Sequence, residues 1–222
     1  MSGIIELKYK IPLESSQCIL AKLKRIGNPD KMFPLGRIRT TYFDDPKRSC
    51  YHDTDNGENY RYKYRFREYL LLPKTQGAHY SVEVKIRHNV LVKKVKKLLY
   101  NVLPKQYRIR TFQLLLQDLE KYNQINLTEL RNRIVSSILY PDITISYSRY
   151  RFYDKSEEFR MNFDTDIKVK KWRGYKLALC EYRQPYSILE LKGEAGKVME
   201  LPNSIRSEGL SLSKYKWGIR KF

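Results

Sequence analysis

Three Glu-x-Lys pairs, Glu6/Lys8, Glu83/Lys85 and Glu190/Lys192, fall in segments whose other residues are mostly apolar. In an extended strand, residues two apart point to the same side. Each pair therefore sets a carboxylate and an ammonium on one face. A fourth segment, "YRYKYRFREY" at 60–69, places Arg61, Lys63, Arg65 and Arg67 at every second position, with Tyr60, Tyr62, Tyr64 and Phe66 between them. Aligned cations with a few glutamates among them suit the binding of a polyanion. Guanidinium forks and ammonium groups grip phosphate or carboxylate oxygens, and glutamates take a hard divalent cation through oxygen. A solvated outer face would show the same pattern with no chemistry attached. Against that, like charges directly opposite on neighbouring strands destabilise a sheet. Here Arg61, Lys63, Arg65, Arg67, Lys85, Lys93, Arg149 and Arg160 spread over several strand-like segments. Such repetition points to a bound anion or a wet, charged interior.

The elements that would position these residues are mostly strands. Alternation predicts strands at 4–12, 37–45, 60–71, 79–88, 90–97, 142–154, 158–170, 174–183 and 186–193. Ile19, Leu20, Leu23 and Ile26 share one helical face, so a helix is predicted over 15–27, with Ser15 or Ser16 as cap and Gly27 as stop. The segment 52–59, "HDTDNGEN", reads as a loop because it is dense in turn formers. Between Lys105 and Tyr140 the period changes to that of two helices. Phe112, Leu115, Leu116, Leu119 and Tyr122 line one, and Leu127, Leu130, Ile134 and Ile138 the other. A last short helix is read near 197–209. Many strands, one helical hairpin and no βαβ alternation predict an α+β chain that is mainly antiparallel β, with the sheet open or closed on itself. Residues 1–222 read as a single domain with a helical insertion at 105–140.

Composition narrows the partners. The chain has 222 residues with 44 Lys and Arg against 24 Asp and Glu, a net charge of +20 and a pI near 9.8. This charge favours anionic partners: nucleic acid, anionic membrane or a polyanionic small molecule. Cys18, Cys50 and Cys180 share no close spacing, which argues against a zinc site or a disulfide framework and for a reducing, cytoplasmic setting. No apolar run approaches the roughly 20 residues of a membrane span, and no signal-peptide core is apparent, so a soluble chain is expected.

The segments "ELKY", "TYFDD", "RYKYRFR", "VEVK", "SYSRYRF", "RMNFDTDI", "LELK" and "SLSKY", in this order from residue 4 to residue 217, closely resemble the VTC domain. That is the polyphosphate polymerase domain of the triphosphate tunnel metalloenzyme superfamily. The resemblance implies a closed antiparallel β-barrel, a tunnel, with helices packed outside. It implies tunnel walls whose cations hold ATP, triphosphate or polyphosphate and whose glutamates hold Mn²⁺ or Mg²⁺. Carried over motif by motif, Lys8, Arg65, Arg67, Lys85, Arg149, Arg160 and Lys214 become the catalytic cations. Arg61, Lys63, Tyr147, Ser213 and either Lys93 or Lys94 become substrate-binding residues. Glu190 becomes the main metal ligand, with Glu6 and Glu83 either further ligands or counter-charges to the lysines. One departure stands out: tunnel phosphatases and cyclases often open with E-x-E-x-K, whereas this chain has Glu6, Lys8 and Lys10. One acidic ligand is replaced by a base, which favours the polymerase branch.

The expected reaction is transfer of the γ-phosphate of ATP to a growing polyphosphate chain, by positioning and charge stabilisation without a covalent nucleophile. The alternatives are a tri- or polyphosphatase with the same site, and a non-catalytic binder of polyphosphate or nucleic acid. The non-catalytic binder ranks last because Glu190 is present, and nucleic acid would in addition need exposed cations, which a tunnel hides. Lys10, Arg37, Arg39, Lys97, Lys170 and Lys171 read as surface charge, and His52, His79 and His88 receive no chemistry.

Overall fold

The computed structural model describes residues 4–70, 80–89, 91–99, 139–156, 158–174, 176–194 and 213–222. The expected helices at 105–140 and near 197–209 lie outside these residues.

The strands form where alternation placed them: β1 (Ile4–Pro12), β3 (Leu35–Asp44), β4 (Tyr60–Tyr69), β5 (Tyr80–His88), β6 (Leu91–Leu99), β7 (Tyr140–Asp154), β8 (Arg160–Arg173), β9 (Lys176–Arg183) and β10 (Tyr186–Glu194). A short β2 (Gly27–Pro29) pairs with β7. All described pairings are antiparallel, in the order β1-β10-β8-β7-β3-β4-β5-β6, with β9 beside β8. Among the described residues the α-helices are α1 (Ser16–Ile26), α2 (Ser49–Asn56) and α3 (Lys214–Ile219).

The sheet curls strongly. In a flat sheet β1 and β5 would lie roughly 29 Å apart, six strand spacings of about 4.8 Å. Yet Lys85 on β5 lowers the pKa of Glu6 on β1, and Lys8 on β1 lowers that of Lys63 on β4. Register shifts in β3 between Tyr42 and Phe43, in β7 between Ser146 and Ser148, and in β8 between Lys170 and Trp172 add local bend. Among the described residues no ladder joins β1 to β6, so the expected closed barrel is seen as a curved sheet with two edges. Both edges carry lysines, Lys8 and Lys10 on β1 and Lys93, Lys94, Lys96 and Lys97 on β6. Direct pairing of such strands would set like charges face to face.

Among the described residues three apolar clusters hold this shape. On the convex side, Ile19, Leu20 and Leu23 of α1 pack on Ile11, Phe152, Met161, Phe163, Leu189 and Leu191. Cys50 of α2 joins Phe43, Tyr62, Tyr64, Phe66, Val82, Val84 and Ile86. These are the aromatic and aliphatic positions that alternate with the cations. On the concave side α3 covers one end of the sheet, where Tyr215 and Ile219 meet Ile38, Tyr42, Ile143, Ile145, Ile167, Val169 and Ile188. Gly218 allows this contact: a Cβ there would stand 2.6 Å from Ile143 Cδ1.

The segment expected as a loop at 52–59 is instead largely α2. Its polar residues suit a helix because the strand before it supplies the caps. Asp44 Oδ1 accepts from the Cys50 amide at 3.0 Å and Oδ2 from the Tyr51 amide at 3.0 Å, while Asp45 accepts from the Ser49 amide at 3.1 Å. Gly57, in the left-handed region at φ 78°, ends it. Tyr215 also donates to Asp44, tying α3 to the same buried carboxylate.

Candidate functional site: a charged concave wall

Register places the predicted residues on one face. Across the sheet Lys8 stands opposite Glu190, Glu190 opposite Asn162, Arg149 opposite Asp164, Arg65 opposite Glu83, and Lys63 opposite Lys85. All of these lie on the concave side. Lys94 pairs with Lys85 and shares this side, whereas Lys93 pairs with Ile86 and faces the other way. Of the two lysines that spacing left open, Lys94 is therefore the one on the face of Glu83 and Lys85.

One part of the wall is charge-balanced. Glu83, fully buried, receives Arg65 through Nε at 2.7 Å and Nη2 at 2.5 Å, and Ser81 Oγ at 3.1 Å. Arg67 and Lys94 each approach it to 3.6 Å. Burial alone would raise the Glu83 pKa, but Arg65, Arg67 and Lys94 bring it down to about 2. Both Glu83 oxygens are engaged, so in this structure it acts as a counter-charge. Arg67 also donates to Thr40 Oγ1 at 3.3 Å.

Next to it, Arg149 grips Asp164 with Nε at 2.6 Å and Nη2 at 2.7 Å, and Lys214 of α3 reaches the same carboxylate at 2.6 Å. The Tyr147 ring lies under both cations, 5.3 Å from Arg149 and 5.0 Å from Lys214. Burial disfavours the charged forms, yet Asp164 raises the pKa values of Arg149 and Lys214 above their ordinary values, and its own falls.

A third group gathers Glu6, Lys8, Glu190, Lys192 and Asn162. Lys8 is ion-paired with Glu6. Lys192 Nζ lies 2.9 Å from Glu190 Oε1 and 3.2 Å from Glu6 Oε2. Asn162 Nδ2 donates to Glu190 Oε1 at 3.5 Å. Burial and the nearby Glu190 push the Glu6 pKa up, but Lys8, Lys85 and Lys192 prevail and lower it to about 2. Glu190 is also held ionised: Arg149, Lys192, Lys214 and Lys8 together outweigh its burial.

The fourth group is cationic. Lys63 donates to Ser213 Oγ at 3.0 Å and is paired with no carboxylate among the described residues. Desolvation, then Lys85, Lys8, Arg65 and Arg61, press its pKa down to about 7. Lys85 falls to about 8, mainly through desolvation, with Glu6 opposing. Arg61 faces Arg87 directly across the pair.

Arg160 stands apart from its expected companions. It shares the concave parity but reaches out to Asp30 at 3.2 Å and lies against the Tyr153 ring, at the rim. Sequence reasoning missed Asn162, Asp164 and Lys192 as parts of this wall. Their signal was parity: Asn162 and Asp164 follow Arg160 at steps of two, and Lys192 follows Glu190.

Oxygen donors for a hard cation are present but few. Among the described residues no group of three or more His, Cys, Asp or Glu side chains gathers. Glu190 and Glu6 with the amide of Asn162 form a donor set that fits Mn²⁺ or Mg²⁺, provided that water and substrate oxygens complete the shell. Such a wall can neutralise a chain of phosphates and hold it against fixed guanidinium groups.

A model of the VTC domain matches residues 5–222. No protein of curated function matches the chain. Solved structures with a similar chain path include a protein of Bacillus halodurans proposed to be an adenylate cyclase, at 15% identity and TM-score 0.49, covering 85% of this chain and 79% of that one. A Pyrococcus horikoshii protein aligns at 11% identity and TM-score 0.48, over 98% of this chain and 100% of its own. A proposed adenylyl cyclase of Hippeastrum, whose structure is described with a dominant triphosphatase activity, aligns at 12% identity and TM-score 0.42, over 89% and 80%. Among the described residues no helix is long and apolar enough to cross a membrane.

Proposed function

The chain belongs to the VTC domain family, and from that membership we propose that it is a metal-dependent polyphosphate polymerase, a phosphotransferase that moves the γ-phosphate of ATP onto a growing polyphosphate chain. The observation that carries this reading is the uncompensated positive end of the concave wall. Lys63, Lys85, Arg61 and Arg87 face one another, and among the described residues Glu6 is the one carboxylate that eases their charge. A sheet keeps such repulsion where a polyanion relieves it. In this reading the edges β1 and β6 close around the phosphate chain into a tunnel, the anion screening the lysines that otherwise keep the seam open. The chain acts as one domain, in the cytoplasm; the free Cys18, Cys50 and Cys180 accord with a reducing setting.

Each residue then has a task. Arg65, Arg67 and Arg149, locked by Glu83 and Asp164, present fixed N–H donors to the transferring phosphoryl oxygens, so little reorganisation accompanies charge development. Lys8, Lys85 and Lys214 neutralise the β- and γ-phosphates. Arg61, Lys63 and Lys94, with the Ser213 hydroxyl, hold the rest of the chain. Tyr147 orients Arg149 and Lys214, and Arg160 meets the anion at the rim. Glu190 and Glu6 would hold the divalent ion, which when bound supplies charge neutralisation between phosphate oxygens. The acceptor is the terminal oxygen of the chain, aligned opposite the departing ADP.

The test is incubation of the purified protein with ATP and Mn²⁺, followed by separation of long-chain polyphosphate from free phosphate. Polyphosphate growing in step with ADP is expected. Free phosphate as the sole product would replace the polymerase by a tri- or polyphosphatase with the same site. Binding of tripolyphosphate without turnover would leave a non-catalytic binder.

A further inference from the structure

The ammonium of Lys192 occupies the place between the two carboxylates best suited to a divalent ion. It is 2.9 Å from Glu190 and 3.2 Å from Glu6, and it comes from the same strand as Glu190, two residues on. The two carboxylates belong to paired strands, Lys8 standing opposite Glu190 and Glu6 opposite Lys192. The Lys192 side chain is 38% exposed, so it has room to swing aside, whereas Glu190 is nearly enclosed.

We propose that Lys192 is a tethered, displaceable counter-ion: it holds Glu6 and Glu190 together in the free protein and competes with the divalent cation for them, so that tight metal binding waits for the phosphate chain. This rests on the polymerase reading and adds an order of events to it. Without Lys192, Glu6 keeps Lys8 but Glu190 loses its ion-pair partner, and a divalent ion becomes the group that can bridge the charge of both carboxylates. With it, the pair is already neutralised. An arriving triphosphate offers the ammonium a competing partner and brings oxygen atoms that complete the shell of a hard cation. The device keeps the site from taking up metal before substrate and links the two by mutual exchange of partners.

The experiment measures Mn²⁺ binding without nucleotide, by the paramagnetic resonance signal of free Mn²⁺, on the full chain. The proteins are the wild type, Lys192→Met, Lys192→Arg and the double variant Lys192→Met/Glu190→Gln. Lys192→Met should bind Mn²⁺ at least about tenfold more tightly than wild type. Lys192→Arg, which keeps the charge, should stay near wild type, and the double variant should lose the gain. Equal affinity in wild type and Lys192→Met, with both dependent on Glu190, would overturn the counter-ion role and leave the metal site standing. A gain that survives Glu190→Gln would overturn it too, since the ion would then sit elsewhere. No Mn²⁺ bound by any variant would overturn the metal-dependent reading itself.

Discussion

Two parts of the concave wall use the same side chains and hold them in opposite ways. Around Glu83 and Asp164 each carboxylate is buried and gripped by forked arginines: Arg65 on one, Arg149 on the other, with Lys214 added. Around Lys63 the neighbours are Lys85, Lys8, Arg65 and Arg61, and among the described residues its hydrogen bond runs to a serine hydroxyl rather than a carboxylate. The first part is built to stay as it is, because removing any partner strands a buried charge. Under the proposed function the second receives the anion, because among the described residues Lys63 has no carboxylate partner. A polyanion site needs both, fixed donors for geometry and unsatisfied ones for attraction.

The largest effect should come from breaking the balanced part. Asp164→Asn leaves Arg149 and Lys214 buried without their counter-charge. Loss of one partner from a buried pair costs about 3–5 kcal/mol, which urea denaturation would read as a lower midpoint. Glu83→Gln should do the same to Arg65 and Arg67, by a somewhat smaller margin, since Arg67 keeps Thr40. If Asp164→Asn cost under about 1 kcal/mol, the value of an exposed surface pair, the contrast between the two regions would disappear.

A second effect separates geometry from charge. Arg65→Lys preserves the charge but not the fork, so Glu83 and the phosphate chain compete for one ammonium. Turnover of ATP should fall at least about tenfold, or roughly 1.4 kcal/mol of transition-state stabilisation. Lys24→Ala, which removes an exposed cation on α1, should leave turnover within about twofold. Equal losses in the two variants would make net charge the agent and strip the arginine forks of any special role.

How much of this could be read beforehand follows from what each signal depends on. The concave face was legible because period-two alternation needs only local sequence, and register then carried Arg65, Lys85, Arg149 and Glu190 to one side. Pairing of particular charges was not legible. That Glu83 serves Arg65, or that Asp164 serves Lys214, depends on strand order and on where α3 docks, which are non-local. Lys93 and Lys94 are neighbours of equal type, so only the register against β5 separates them. Arg160 has the right parity but lies at the end of β8, where Asp30, from the loop after β2, captures it. The helix α2 was hidden because its caps come from Asp44 and Asp45, outside the polar segment itself.

The smallest effect is the sharpest probe of the second region. Lys63 titrates near 7 in the folded chain and near 10.4 when exposed in the unfolded one. Between those values the unfolded chain holds a proton that the native one has released, so Lys63 makes stability rise with pH across that window. Below about pH 7 both states are charged there, and the repulsion from Lys85, Lys8, Arg65 and Arg61 acts in full. Lys63→Met removes the group. The variant should therefore be more stable than wild type at pH 6, with an advantage that shrinks as pH climbs toward 10. Its affinity for tripolyphosphate should be weaker than wild type at pH 7, and this deficit should also narrow as the wild-type lysine loses its proton. A bound phosphate chain gives Lys63 the counter-charge that it lacks, so binding near pH 8 should draw a proton from the buffer. Calorimetry in two buffers of different ionisation heat would detect that uptake in wild type and less of it in Lys63→Met, where Lys85 alone remains to respond. A stability gap that widens with pH, or binding with no proton uptake, would mean that Lys63 already has a counter-charge in the folded chain, and the two regions would then be one.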